Sequence, residues 1–304
     1  MPKERIPYIF LIAALLAVPF YYMSDQMDTE QIRKNRYWMV KANDQKSYAM
    51  VFGGDSRVFR GISPDHFESG FNGYEAYNFA FWSNGMGRVY LEGIEKKIDT
   101  ASDLRMIILG VTSHSLTPKA ARCEHYRWET GKPKEQVLQT LYLSRVQELF
   151  VPYGVIELAD KVRGRSKQAN YRIIYHSNGW VESYWIEPDT SYSARFYEDI
   201  FTDNAVSEEV IEVLLEFVER WTKMGIHVVG FRPPTSHAIR ALEHERGGFV
   251  EEDFVEQFTA AGGIWIPLSP DAYQTFDGNH LEHQSAMRIS ADLARLIREQ
   301  IPEL

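Results

Sequence analysis

Along most of the chain, short apolar runs alternate with segments whose apolar positions recur at helical spacing. "YAMVFGG" (48–54), "AYNFAFW" (76–82), "LRMIILGVT" (104–112), "IHVVGFRPP" (226–234) and "GGIWIPLS" (262–269) are runs bounded by glycine, proline or polar residues. Continuous apolar runs of this length predict strands buried on both faces. Between them, "GRVYLEGIEKKIDTA", "KEQVLQTLYLSRVQELF", "VIEVLLEFVERWTKMG" and "SAMRISADLARLIREQI" predict amphipathic helices, the third closing on Gly225 as a C-cap. The alternation predicts an α/β fold, a parallel sheet with helices on both faces. No internal repeat interrupts it. One segment breaks the rhythm: "YRIIYHSNGWVESYW" (171–185) sets Asn178-Gly179 between two β-prone arms, a hairpin signal crowded with aromatic rings. It predicts an insertion at about 160–200 in the α/β body.

The N-terminus reads differently. Residues 6–23, "IPYIFLIAALLAVPFYYM", carry no charge, and the run is close to the ~20 residues a helix needs to cross a bilayer. Tyr8, Tyr21 and Tyr22 stand near its ends, where amphipathic rings favour the headgroup level. No small-x-small cleavage site follows, so the run predicts an uncleaved membrane anchor at 1–23. Residues 24–45 are polar and predict a stalk or short helix, and 46–304 form the body.

Composition narrows the class. The net charge of −9 offers no basic field for phosphates, which excludes a general nucleic-acid binder. The lone Cys123 permits neither an intramolecular disulfide nor a Cys-rich zinc site.

The chemistry gathers at two places. In "VFGGDSRVF" (51–59), Ser56 follows a predicted strand and opens a predicted helix. Ligands of open parallel sheets bind at the carboxyl ends of the strands, and a helix start presents unpaired N–H groups. A turn of Asp and Ser before a helix is equally an N-cap. Near the other end, "FDGNHLEHQSA" places Asp277 three residues before His280, between the last strand and the last helix. A serine hydroxyl needs a base, and the base an orienting group. Ser56, His280 and Asp277 supply that set, each after a strand.

"GGDSR" and "DGNHL" resemble the first and last conserved blocks of the SGNH (GDSL) hydrolase superfamily, over residues 46–304. More narrowly, the anchor, "YNFAFWSNGMG" and "GFRPPTS" resemble envelope O-acyltransferase relatives such as the alginate acetylation proteins and the teichoic-acid D-alanyl transfer protein. The resemblance implies a three-layer, flavodoxin-like α/β/α fold, a Ser56–His280–Asp277 triad and no cofactor. It also implies oxyanion help from a second-block glycine, here Gly85. The third block departs: Gly110 is followed by Val111, Thr112 and Ser113 where the family has an asparagine, so Thr112 or Ser113 would take its place.

Arg57, His114, Arg232 and Trp180 are candidates for a substrate rim, though a salt-bridged arginine or a packed ring explains each as well. His237 stands equally after a strand. His280 and His283 have no third ligand placed with them, so no metal site is expected. Two classes of function remain: a membrane-anchored serine enzyme moving an acyl group onto or off an envelope polysaccharide, or a non-catalytic module that binds glycan or scaffolds a membrane-bound O-acyltransferase. Lys3 and Arg5 lie closer to the apolar run than Arg33, Lys34 and Arg36 do, which sets the N-terminus inside and the body extracytoplasmic. A reporter fused after Leu304 is therefore expected to be active outside the cytoplasm; activity confined to the cytoplasm would contradict the assignment.

Overall fold

The computed structural model describes residues 29–71, 73–150 and 171–302. Among them no helix is long and apolar enough to cross a membrane; the apolar run at 6–23 lies outside the described residues, as does 160–170 of the expected insertion.

The described chain forms two compact units, one of residues 29–44 and 129–150, the other of 45–128 and 171–302. In the first, α1 (Thr29–Asn43) packs on α7 (Lys134–Phe150). Ile32, Trp38 and Met39 of α1 are buried, so part of the polar segment 24–45 is a packed helix. The predicted helix 134–150 belongs to this unit.

The second unit holds β1 (Met50–Gly53), α2 (Ser56–Gly61), α3 (Pro64–Glu68), β2 (Ala76–Asn78), α4 (Arg88–Lys96), β3 (Met106–Gly110) and α5 (Pro118–Ala121). After α6 (Glu124–Thr130) and α7 come β4 (Tyr171–Tyr175), β5 (Val181–Trp185), α8 (Ala194–Ile200) and α9 (Glu208–Lys223). The unit closes with β6 (His227–Phe231), α10 (His237–Glu245), α11 (Glu251–Ala260), β7 (Ile264–Ile266) and α12 (His283–Gln300).

Five strands make one parallel sheet in the order β2-β1-β3-β6-β7, with Val51 opposite Tyr77 on one side and Ile107 on the other. Met50, Val51, Phe52, Met106, Ile107, Ile108 and Leu109 are all fully buried, which is why β1 and β3 read as unbroken apolar runs. Strand order reverses at β1. Right-handed crossovers then carry the connections of β1 to β2 and of β2 to β3 over opposite faces. The contacts agree: α12 packs on α2 and α3, whereas α9 packs on α4 and α11. The amphipathic stripe of α9 (Val210, Ile211, Leu214, Phe217, Val218, Trp221) is buried and meets β6. The reversal leaves a crevice beyond the carboxyl ends of β1 and β3, the position where open α/β sheets bind ligands. Residues 54–56 and 111–114 lie there.

The predicted hairpin forms, with Tyr171 opposite Trp185 and Tyr175 opposite Val181. It is built into the unit rather than appended. Its tip clasps the edge strand β2: the Asn78 N–H donates to Asn178 O at 2.9 Å, and the Asn178 amide reaches Asp65 at 2.8 Å. Gly179 has φ of 88°, and a Cβ there would stand 2.0 Å from Asn78 O. Both the backbone conformation and the space exclude a side chain. Gly179→Ala is accordingly expected to destabilise the protein by more than about 1 kcal/mol, read as a lower urea midpoint. An unchanged midpoint would mean the tip is not docked on β2.

Candidate active site

The site is built from two loops and one helix start. Asp55 caps α2: its buried carboxylate accepts the Arg57 N–H at 2.9 Å through one oxygen and the Thr112 hydroxyl at 2.9 Å through the other. Burial alone would raise this carboxyl, but the His114 ring 3.9 Å away, with the charge and backbone N–H of Arg57, holds it below the usual carboxylate value. Ser56 follows as the first residue of α2, half-buried rather than freely exposed. The carbonyls at the other end of α2 are held too, since the Asn78 amide donates to Val58 O and Ile62 O, each at 2.9 Å. The helix carrying Ser56 is thus tied to β3 at its start and to β2 at its end.

The second loop, 275–281, is closed by the Phe276 N–H to His280 O bond and by the Thr275–Leu281 bridge. Gly278 turns it at φ of 86°, and a Cβ there would strike Thr190 O at 2.1 Å. Within the loop, one Asp277 oxygen accepts the backbone N–H groups of Asn279 (2.9 Å) and His280 (2.7 Å). The other lies 2.7 Å from His280 Nδ1, and His280 Nε2 lies 2.9 Å from Ser56 Oγ. Phe276 stacks on the imidazole at 5.8 Å and 18°, which fixes its plane.

Electrostatics assigns the protons. Burial would raise Asp277, but the charge of His280 and the hydrogen bonds from its ring, its backbone and Asn279 bring it down to about 2. As a carboxylate it can only accept, so Nδ1 carries the ring proton and Nε2 accepts from the Ser56 hydroxyl. Burial lowers the His280 pKa; Asp277 opposes that, and the guanidinium groups of Arg60 and Arg57 add to it. An imidazole acceptor beside a hydroxyl, oriented by a carboxylate, can take the serine proton as the oxygen attacks an electrophilic carbon.

Other sequence-derived candidates have different places. Gly85 is no oxyanion donor: its N–H is spent on Ala120 O at 2.9 Å. Thr112 is committed as well, its hydroxyl to Asp55 and its N–H to Ser115 Oγ at 3.0 Å. The Ser113 hydroxyl is buried against Glu243 O at 3.4 Å. Arg57 and Arg232 leave the substrate rim. Both are buried and share Glu243, at 2.6 and 2.7 Å, and Arg232 also binds Glu251 at 2.7 Å. Trp180 is 4% exposed, stacks on His176 and donates Nε1–H to Arg60 O at 2.9 Å. It is a core ring clamping the hairpin to α2, not a platform for a ligand. His114 lines the Asp55 side of the site, whereas His237 is exposed and pairs with Asp271. His283 packs under Tyr184 at 4.2 Å.

No family model matches the chain, and no curated protein matches it. Among solved structures it is similar to a platelet activating factor from Streptococcus pneumoniae, at 12% identity over 93% of this chain and 99% of that one, with a TM-score of 0.41. It is also similar to a carbohydrate acetylesterase from Sinorhizobium meliloti (9% identity, 83% of this chain, 99% of that one, TM-score 0.35). A third similar structure is the inhibitor-bound aryl esterase of M. smegmatis (8% identity, 82% of this chain, 98% of that one, TM-score 0.32).

The residues that sequence reading passed over are Asn279, Glu243 and Tyr197, whose side chains surround Arg57. Asn279 stood inside the "DGNHL" motif; Glu243 and Tyr197 sit in ordinary amphipathic helices and carry no signal of their own.

A pH dependence follows. The imidazole must be neutral to accept the Ser56 proton, and its pKa lies below 6.5, the ordinary value for histidine. Labelling of Ser56 by a fluorophosphonate is expected to hold its plateau down past pH 6.5 and fall only below it. Asp277→Asn removes an influence that raises the His280 pKa, so the acid limb should move further down while the plateau drops. An acid limb at or above pH 7 in the wild type would contradict the assignment.

Proposed function

We propose that this chain is a serine-dependent acyl-transfer enzyme that works through an acyl-Ser56 intermediate. The observation that supports this reading is the hydrogen-bonded relay from Asp277 through His280 to Ser56, at the strand-end crevice of a parallel sheet. In the first half-reaction His280 Nε2 takes the hydroxyl proton as Ser56 Oγ attacks the donor carbonyl. The bond from the carbonyl carbon to the leaving oxygen then breaks, and that oxygen takes the proton from Nε2. In the second half an acceptor hydroxyl gives its proton to Nε2 and attacks the acyl carbon, and Ser56 leaves with the proton returned. Asp277 holds the ring in the required tautomer and stabilises its positive form. The backbone N–H of Ser56 has no acceptor among the described residues and is the donor nearest the developing oxyanion.

The acceptor proposed is a hydroxyl of an envelope or exported polysaccharide and the acyl group acetyl, with water as acceptor in an esterase. This rests on the resemblance of "YNFAFWSNGMG" and "GFRPPTS" to envelope O-acyltransferases and on the apolar run at 6–23, which would anchor an extracytoplasmic body beside a membrane-bound O-acyltransferase. One observation favours a second reading, a non-catalytic glycan-binding scaffold: the Gly85 N–H, both Thr112 donors and the Ser113 hydroxyl are committed elsewhere. Loss of one oxyanion donor typically costs ~10²–10³ in rate.

Acyl release from an activated ester, with mass spectrometry of the trapped acyl-enzyme, separates the readings. Ser56→Ala and His280→Ala should each lower turnover by on the order of 10³-fold or more, and the double variant little further, because such groups act as a unit. Full turnover by Ser56→Ala, or an acyl group trapped on another residue, would remove Ser56 from the mechanism and leave the scaffold reading.

A further inference from the structure

Two cross-links join the start of α2 to the 275–281 loop, and they use adjacent residues. His280 meets Ser56 at 2.9 Å, and next to it Arg57 Nε donates to Asn279 Oδ1 at 2.7 Å. The first bond must be made and broken whenever a proton moves. The second need not be. Its guanidinium is permanently charged and held from behind: Nη2 donates to Glu243 Oε1 at 2.6 Å and to the Tyr197 hydroxyl. Tyr197 in turn donates to the same Glu243 oxygen at 3.2 Å. Glu243 is 0% exposed and is gripped from its other oxygen by Arg232, which also binds Glu251, itself held by Arg240. The fork of Arg57 is therefore aimed by α8 and α10 before it reaches Asn279.

We propose that Arg57, through its bond to Asn279, is the positioning residue that sets the Ser56–His280 contact; the inference rests on the acyl-transfer reading above. Stability alone is a weak reason for this arrangement. Burying charge costs desolvation, and a well-packed apolar core does comparably. What a guanidinium adds is direction, because its planar fork presents donors at fixed angles to several acceptors at once. Here one edge is bound to the scaffold and the Nε–H is left pointing at the residue that precedes the base. Asn279 is a suitable reporter because its backbone N–H is already bonded to Asp277, so a shift of its side chain shifts the loop that holds the base. A misplacement of about 1 Å at a reacting centre can cost about 10²-fold.

The test is the labelling of full-length protein by a fluorophosphonate, resolved into a maximal rate and a half-saturating concentration, with thermal unfolding alongside. Asn279→Ala removes the acceptor without touching a charge, and should slow the maximal rate by about 10- to 100-fold while half-saturation stays within about twofold. Asn279→Asp keeps an oxygen for Arg57 but replaces the Nδ2 that lies 3.4 Å from His280 Nε2 with a charged oxygen. Its maximal rate is therefore read on the plateau above its own acid limb, where it should recover to within about threefold of wild type. Arg57→Lys keeps the charge for Glu243 but loses the fork, and should be as slow as Asn279→Ala. Asn279→Ala at the wild-type rate overturns the inference. If that variant does not fold, Arg57→Lys at the wild-type rate, or Asn279→Asp as slow as Arg57→Lys, overturns it. Wild-type protein that does not label at Ser56 overturns the acyl-transfer reading and this inference together. Labelled wild type with unaffected variants overturns this inference alone.

Discussion

The bond between His280 Nε2 and Ser56 Oγ joins residues 224 positions apart, and the rest of the unit is arranged around making it possible. A parallel sheet supplies the coarse alignment, because every strand delivers its following loop to the same edge. Coarse alignment is not enough for a proton transfer, which works over a window of a few tenths of an ångström. The finer adjustment comes from polar ties on each partner. Asp55 and Asn78 pin the two ends of α2 to the loop after β3 and to β2. Asp277 gathers the 277–280 turn around one carboxylate, and Phe276 fixes the plane of the ring.

What was legible in the sequence follows from this division. Strands buried on both faces leave unbroken apolar runs, so β1, β3 and β6 could be read directly, and with them the loops that follow. Asp277, three residues before His280, is a local pattern whose geometry is settled within one turn. The Asn178-Gly179 hairpin is local as well. Where a side chain's role depends on what lies opposite it, the residue type misleads. Arg57 and Arg232 look like groups for an acidic ligand because arginine is seldom buried. Here a single glutamate on α10, 186 positions from Arg57 and 11 from Arg232, claims both. Trp180 looks like an exposed stacking surface until α2 covers it and Arg60 O takes its N–H. Gly85, Thr112 and Ser113 carry residue types that suit an oxyanion site, but loop hydrogen bonds use the Gly85 N–H, both Thr112 donors and the Ser113 hydroxyl.

The buried arginine–glutamate group also bears on why the hairpin is where it is. Arg60, one turn after Arg57, donates to Tyr171 and Ser183 of the hairpin, and its carbonyl receives Trp180. The helix that presents Ser56 is thus gripped by α8 and α10 through Arg57, and by the aromatic hairpin through Arg60. Six residues make too short a helix to be stable alone. Its conformation has to be imposed, and the two arginines are the points at which the surrounding elements impose it.

The same two guanidinium groups act on the base electrostatically. Each disfavours positive charge on His280, adding to the effect of burial, while Asp277 favours it. A base whose cation is disfavoured remains neutral and ready to accept at lower pH, but it returns its proton more readily once charged. In a two-step acyl transfer the imidazolium is needed only until the leaving oxygen departs, so easy return of that proton serves the second half of each step. Asp277 prevents the balance from going too far, since without it the cation would have no partner in a buried position. Burial and Asp277 dominate that proton affinity, and the arginines that hold the geometry lower it further, so removing the charge of either acts on both at once.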